Sequence, residues 1–251
     1  MKRENRAPCF VFPMGMEAAP FLRRLEVLSR ERRGKSTYRR AFFEGSRVLV
    51  VRCGIGPSRA ASSIRNLDER PAWIVGVGTA GALEDALRVG HMVISSTLVC
   101  PEESARSYQS DPLIIETLCQ ACERAHATYR VGTIASASRP VFDRRGRNEL
   151  RRKTAALAVD MESYWLAQEA ERLGVPFAAL RVISDDIDAP PLPEYADWRP
   201  LLRSPLNLIA RIRPYLRWRT FLRDFRAAIE ELPPVLVEAL RCWNRYGSSG
   251  G

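Results

Sequence analysis

Short apolar runs alternate along the chain with stretches whose apolar residues recur every three or four positions. The runs Cys9–Phe12, Trp73–Val77, Met92–Val99, Tyr129–Ala135 and Phe177–Ile183 predict buried strands. Thr37–Phe43 and Arg47–Arg52 predict a hairpin turning at Glu44-Gly45-Ser46. Helical spacing marks Glu17–Leu28, where Ala18, Phe21, Leu22, Leu25 and Leu28 share a face. Pro20 is tolerated there because N–H groups in a first turn have no helical partner to lose. Further helices are predicted at Pro57–Leu67, Pro112–Ala127, Arg144–Thr154 and Ser163–Leu173. Apolar strands alternating with amphipathic helices predict an α/β fold whose sheet is covered on both faces.

The pattern changes after the Pro-rich stretch Ala189–Pro193. Tyr215, Trp218, Leu222, Phe225, Ile229 and Leu232 lie on one face of a predicted helix that follows Pro214 and ends at Pro233-Pro234. Arg217, Arg219, Arg223 and Arg226 lie around and opposite that face. The division expected is therefore a main domain over 9–189, a basic helical extension over 190–246 and a disordered end at 247–251. Two readings of the extension stay open: a helix packed on the domain with a solvated Arg face, or a helix lying on a membrane surface.

Composition narrows the class. With 251 residues, 46% apolar and 27% charged, the chain can bury a large core, which excludes global disorder. Its 39 basic and 29 acidic side chains leave +10, and 36 of the basic ones are Arg. Residues 199–251 alone hold ten Arg against four acids, so most of the excess is C-terminal. Such a tail suits an anionic surface, and no nucleic-acid motif accompanies it. The six Cys are scattered through apolar runs, which argues against a secreted disulfide framework. Cys119 and Cys122 continue the apolar face of Ile115 and Leu118 and read as core, not as zinc ligands. His91 reads as structural. With no signal-peptide core and no long uncharged run, the expected compartment is the cytoplasm.

In α/β sheets, sites form just beyond the carboxyl ends of strands. Four such places carry polar or Gly-rich chemistry here: Met14–Glu17, Gly54–Ser58, Gly76–Gly81 and Ser184–Asp188. A fifth, Asp160-Met161-Glu162, precedes a helix, where acids also serve as caps. Each alone is ordinary. Several acids at the strand ends of one sheet are harder to dismiss.

The strings GMEAAPFLRRLE, RCGIGPSRAASSI, VGVGTAGALEDALRVGHMVIS and AVDMESYWLAQEAERLGVPFAALRVISDDID fall in the order seen in the purine nucleoside phosphorylase/uridine phosphorylase superfamily. The chain most resembles its 5′-methylthioadenosine/S-adenosylhomocysteine nucleosidase branch. The resemblance implies a three-layer αβα fold around a twisted mixed sheet, cleavage of a purine nucleoside's N-glycosidic bond, a homodimer, and no metal or organic cofactor. Carried over by motif, Asp185 falls on the acid that protonates purine N7, and Glu17 on the carboxylate that orients water. Glu162 falls on the group holding the ribose hydroxyls, and Met161 lies against the sugar. Thr79 takes the place of a Ser near the nucleophile, beside Gly78. Phe142 is the ring expected to serve purine stacking, without a motif match, and Arg181 and Ser184 are read as support.

Gly76 stands where phosphorolytic relatives usually place a phosphate-binding Arg, which favours hydrolysis of a 5′-substituted adenosine. The segment Ala135–Phe142 departs from the family's base-binding pattern. The basic tail, together with GIGPSRA and AVDMES, resembles the hopanoid-biosynthesis-associated phosphorylase-like subgroup. That resemblance implies an alternative: hydrolytic or phosphorolytic cleavage of a lipid-linked adenosine such as adenosylhopane, with peripheral membrane contact through the tail. A catalytically silent nucleoside-binding protein is the third reading.

Overall fold

The computed structural model describes residues 6–103, 106–187 and 220–248. In chain order the elements are β1 (Cys9–Phe12), α1 (Gly15–Leu22), β2 (Glu26–Arg33), β3 (Ser36–Phe43), β4 (Ser46–Arg52), α2 (Pro57–Arg65), β5 (Ile74–Ala82), β6 (Met92–Val99), β7 (Ser107–Gln109), α3 (Pro112–Arg124), β8 (Tyr129–Ser136), α4 (Arg144–Thr154), β9 (Ala158–Asp160), α5 (Ser163–Leu173), β10 (Phe177–Asp185), α6 (220–230) and α7 (Leu232–Ser248).

All ten strands belong to one mixed sheet. β1 lies between β4 and β5 and is parallel to both, and β5 runs parallel to β10. β10 turns antiparallel to β6, which leads through β8 and β9 back to β5, so this part of the sheet closes on itself. The other end is the antiparallel meander β4-β3-β2, whose β3–β4 turn uses positive φ at Glu44 and Gly45.

Strand alternation sorts the core into two layers. Cys9 and Val11 of β1, with Phe177, Ala179 and Ile183 of β10, face one core on the α2 and α5 side. Phe10 and Phe12, with Ala178, Leu180 and Val182, face the other, shared with α1, α3 and α7. Both faces of the sheet are therefore covered, giving the expected three-layer αβα fold.

Several boundaries differ from the sequence pattern. The helix read over Glu17–Leu28 stops at Leu22, and the chain re-enters the sheet as β2. Leu28, assigned to the buried face, is 55% exposed on that strand. Gly76–Gly81, read as a loop beyond a strand, lies inside β5. Pro233-Pro234 does not end the C-terminal helical region. The two prolines occupy the second and third positions of α7, in a first turn that needs no N–H partner.

The extension packs on the domain as far as it is described. Phe225, Ala228 and Ile229 of α6, and Leu232, Val235, Leu236, Ala239 and Leu240 of α7, are buried. α7 packs against α3 and α1, and Trp243 meets Trp73 edge-on at 5.4 Å between ring centroids. Tyr215, Trp218 and the Arg residues from 199 to 219 lie outside the described residues. So do residues 249–251 of the end read as disordered, whereas Gly247 and Ser248 belong to α7. No helix among the described residues is long and apolar enough to cross a membrane. Cys122 is buried and Cys119 half-buried against the α3-side core, as the helical spacing implies.

Candidate active site

The carboxyl ends of the parallel strands β1, β5 and β10 converge on a cavity of about 320 Å³. Glu17, Thr79, Met161, Glu162, Ser184 and Asp185, singled out by motif, line it, and so does Phe142, expected there as the stacking ring. Arg181 and Gly78 do not reach its wall and support it from behind.

Glu17 sits in the first turn of α1, directly after β1, and is 1% exposed. Its carboxylate accepts from the backbone N–H of Met14 and Thr79, each at 2.9 Å, and from Thr79 Oγ1 at 3.0 Å. Burial raises its pKa, against the pull of these donors and of the Arg181 charge. Gly78 explains the close approach. A Cβ there would lie 3.0 Å from Glu17 Oε1 and 3.1 Å from Arg181 Nη1.

Arg181 is wholly buried on β10. Its Nε donates to Asp160 Oδ2 at 2.6 Å and its Nη2 to Ser163 Oγ at 2.8 Å. Nη1 has no partner. The Glu17 charge beside it offsets part of the cost of leaving a buried guanidinium nitrogen unpaired.

The neighbouring acids Asp160 and Glu162 divide their tasks. Asp160 organises the start of α5: it accepts from the backbone N–H of Glu162 and Ser163, from the hydroxyls of Ser136 and Ser163, and from Arg181. Glu162 is therefore not needed as a side-chain cap and makes none. It reaches across to accept from Gly56 N–H at 2.8 Å. Burial, with Asp160 adding repulsion, pushes the Glu162 pKa up to about 8.

Asp185 ends β10 at a bulge, where Ser184 is the extra residue between the Ile183–Ala80 and Asp185–Gly81 pairs. Ser184 Oγ lies 2.7 Å from Asp185 Oδ1, and the guanidinium of Arg147 pairs with Oδ2. Arg147, 1% exposed on α4, is a cavity residue that the sequence reading missed. So are Asp160 as organiser, and Phe221, which joins Phe225 in bringing α6 to the cavity wall. Phe225 belonged to the predicted helical face, but nothing in its spacing pointed to a site. Among the described residues no cluster of three or more His, Cys, Asp or Glu is placed to hold a metal.

Residues 9–199 match the family described as the phosphorylase superfamily. The chain belongs to that superfamily. A 5′-methylthioadenosine/S-adenosylhomocysteine nucleosidase of Staphylococcus aureus is 29% identical over 155 residues, covering 55% of this chain and 68% of that protein. The solved nucleosidase of Neisseria meningitidis in complex with methylthio-immucillin-A superposes with a TM-score of 0.76 at 20% identity, covering 94% of this chain and 99% of that one. The futalosine hydrolase of Helicobacter pylori gives 0.78 at 17% identity, covering 96% and 99%. At these identities the structural likenesses establish the superfamily fold alone. That fold carries Glu17, Thr79, Glu162 and Asp185 around one cavity.

Proposed function

We propose that the chain hydrolyses the N-glycosidic bond of a 5′-substituted adenosine. The observation that carries this reading is that Glu17, held by Thr79, and Asp185 line one cavity. A water held beside them has a carboxylate acceptor in Glu17 and a hydroxyl in Thr79. Burial raises the Glu17 pKa, which makes it a better proton acceptor from that water. Asp185 protonates purine N7 as the C1′–N9 bond breaks, Glu162 and Gly56 mark the ribose side, and Phe142 and Met161 pack against base and sugar. Groups fixed where charge develops supply most of the acceleration.

At Gly76 a Cβ would already lie 3.1 Å from Leu166 and 3.2 Å from Phe177, so a phosphate-binding side chain has no room there. The test is release of free adenine from 5′-methylthioadenosine with and without phosphate. Adenine and free 5-methylthioribose at a phosphate-independent rate is expected. A ribose 1-phosphate product whose rate rises with phosphate would overturn hydrolysis.

A second reading, a lipid-linked adenosine, is favoured by Phe221 and Phe225, through which α6 adds an aromatic wall to the cavity. A homodimer and peripheral contact with an anionic membrane complete the proposal. They rest on the resemblance and on the basic C-terminal sequence.

A further inference from the structure

Arg147 stands apart from the other arginines of α4. Arg144 and Arg151 pair with Asp85 and Glu84 on partly or fully exposed faces, and Arg145 and Arg152 are solvent-exposed. Arg147 turns inward and ties three lengths of chain together. Its Nε donates to the Val141 carbonyl at 2.9 Å, in the loop before α4. Its Nη1 donates to the Asp186 carbonyl at 2.7 Å, beyond β10, and its Nη2 holds Asp185 Oδ2. Gly81 of β5 makes room for the pair. A Cβ there would lie 3.0 Å from Arg147 Nη2 and 3.1 Å from Asp185 Oδ2.

A buried arginine used only to anchor a helix is satisfied by carbonyls. This one also occupies one oxygen of the carboxyl group placed to meet the base. We propose that Arg147 is the positioning residue of Asp185: it fixes which oxygen carries the acid proton, and it stabilises the carboxylate left when that proton departs.

The proposal rests on the nucleosidase reading above. An oxygen that accepts from a guanidinium is a poor place for a proton, so the proton of the acid form sits on Oδ1. There the Ser184 hydroxyl, which can turn to accept, lies 2.7 Å away. In the reaction the Oδ1–H bond breaks and N7–H forms. The C1′–N9 electron pair passes to the purine. The water oxygen bonds C1′, and its proton goes to Glu17. Negative charge grows on Asp185 as the bond breaks, against a guanidinium already in place. That interaction is stronger in the transition state than before it, which is the condition for raising the rate.

The test compares two leaving groups on the same 5-substituted ribose. Adenine needs protonation to leave, whereas 4-nitrophenolate does not. Asp185→Asn sets the pattern of a lost acid, with adenine release falling by about 10²–10⁴-fold. Arg147→Met is expected to slow adenine release at least about tenfold more than nitrophenolate release, mainly in kcat, with Arg147→Lys between it and the native chain. If Arg147→Met does not fold, Gly81→Ala, which crowds the pair without removing it, is read for the same selective loss. Equal slowing of both leaving groups in the variants that fold would overturn the positioning role and leave the nucleosidase reading standing. A native chain that releases neither group would overturn both.

Discussion

Asp160 and Glu162 are two residues apart in one motif, yet their environments give them opposite uses. Asp160 is saturated with donors, including Arg181, and holds the backbone. Among the described residues Glu162 accepts only from the Gly56 N–H, and burial raises its pKa to about 8. A carboxyl whose pKa is higher folded than unfolded binds its proton more tightly in the folded chain. Its contribution to stability is fully present below the ordinary glutamate value and is lost as the pH rises through about 8. The melting temperature of the unliganded protein is therefore expected to fall between about pH 5 and 8, and Glu162→Gln to flatten that fall. An unchanged slope in the variant would assign the dependence to other groups. The motif made Glu162 visible in the sequence, but not this division of labour. Arg147 was invisible for a related reason. In Asp143-Arg144-Arg145-Gly146-Arg147-Asn148-Glu149-Leu150-Arg151-Arg152 every arginine looks alike, and only the tertiary partner Asp185 separates one from the rest.

Among the elements, those with a clear apolar period were legible, and those whose place depends on a neighbour were not. β1, β6 and β10 bury most of their residues and read as strands at once, whereas β8, also read as buried, buries only its last three residues. β2, Glu-Val-Leu-Ser-Arg-Glu-Arg-Arg, is an edge strand exposed along nearly its whole length, so it carries no burial pattern, and its Val27 and Leu28 were drawn into the preceding helix. The β5 glycines read as a turn because close approach in a strand and a tight turn both favour Gly. At the C-terminus the packed reading of the helix holds for the described residues, but the end placed at Pro233-Pro234 was wrong. The apolar stripe that also suited a membrane surface continues past Pro233-Pro234 into α7, where Leu232, Leu236 and Leu240 fall on one buried face against α3. Leu236→Ala should therefore behave as a core truncation and cost about 2–5 kcal/mol, measured by denaturant unfolding. A loss below about 0.5 kcal/mol, the scale of a surface substitution, would mean that α7 is not part of the domain's core. For the same reason, cutting the chain after Asp197 removes core as well as charge, and point substitutions are the cleaner probe of the tail.

For the whole molecule, that packing decides how its net charge of +10 can act. Phe225, Ile229 and Leu232 are buried in the protein, so the described part of α6 and α7 has no apolar face to insert among acyl chains. What it offers outward is cationic: Arg223, which shares its charge with Asp224, and Arg226 are both exposed. Near an anionic bilayer each basic side chain contributes about 1 kcal/mol, over a range set by the Debye length. That length shrinks from about 10 Å at 0.1 M salt to about 3 Å at 1 M, so attachment by charge alone disappears where attachment by insertion survives. The full chain is expected to sediment with phosphatidylserine vesicles at low salt, to be released completely at high salt, and to bind less after Arg223→Gln and Arg226→Gln together. Retention at high salt would mean that an apolar face is presented to the bilayer, and on the lipid-linked reading the substrate would then be met by an opened α6. Absence of binding at low salt would leave the basic C-terminal sequence without a role at membranes and α6 as a wall of the cavity alone.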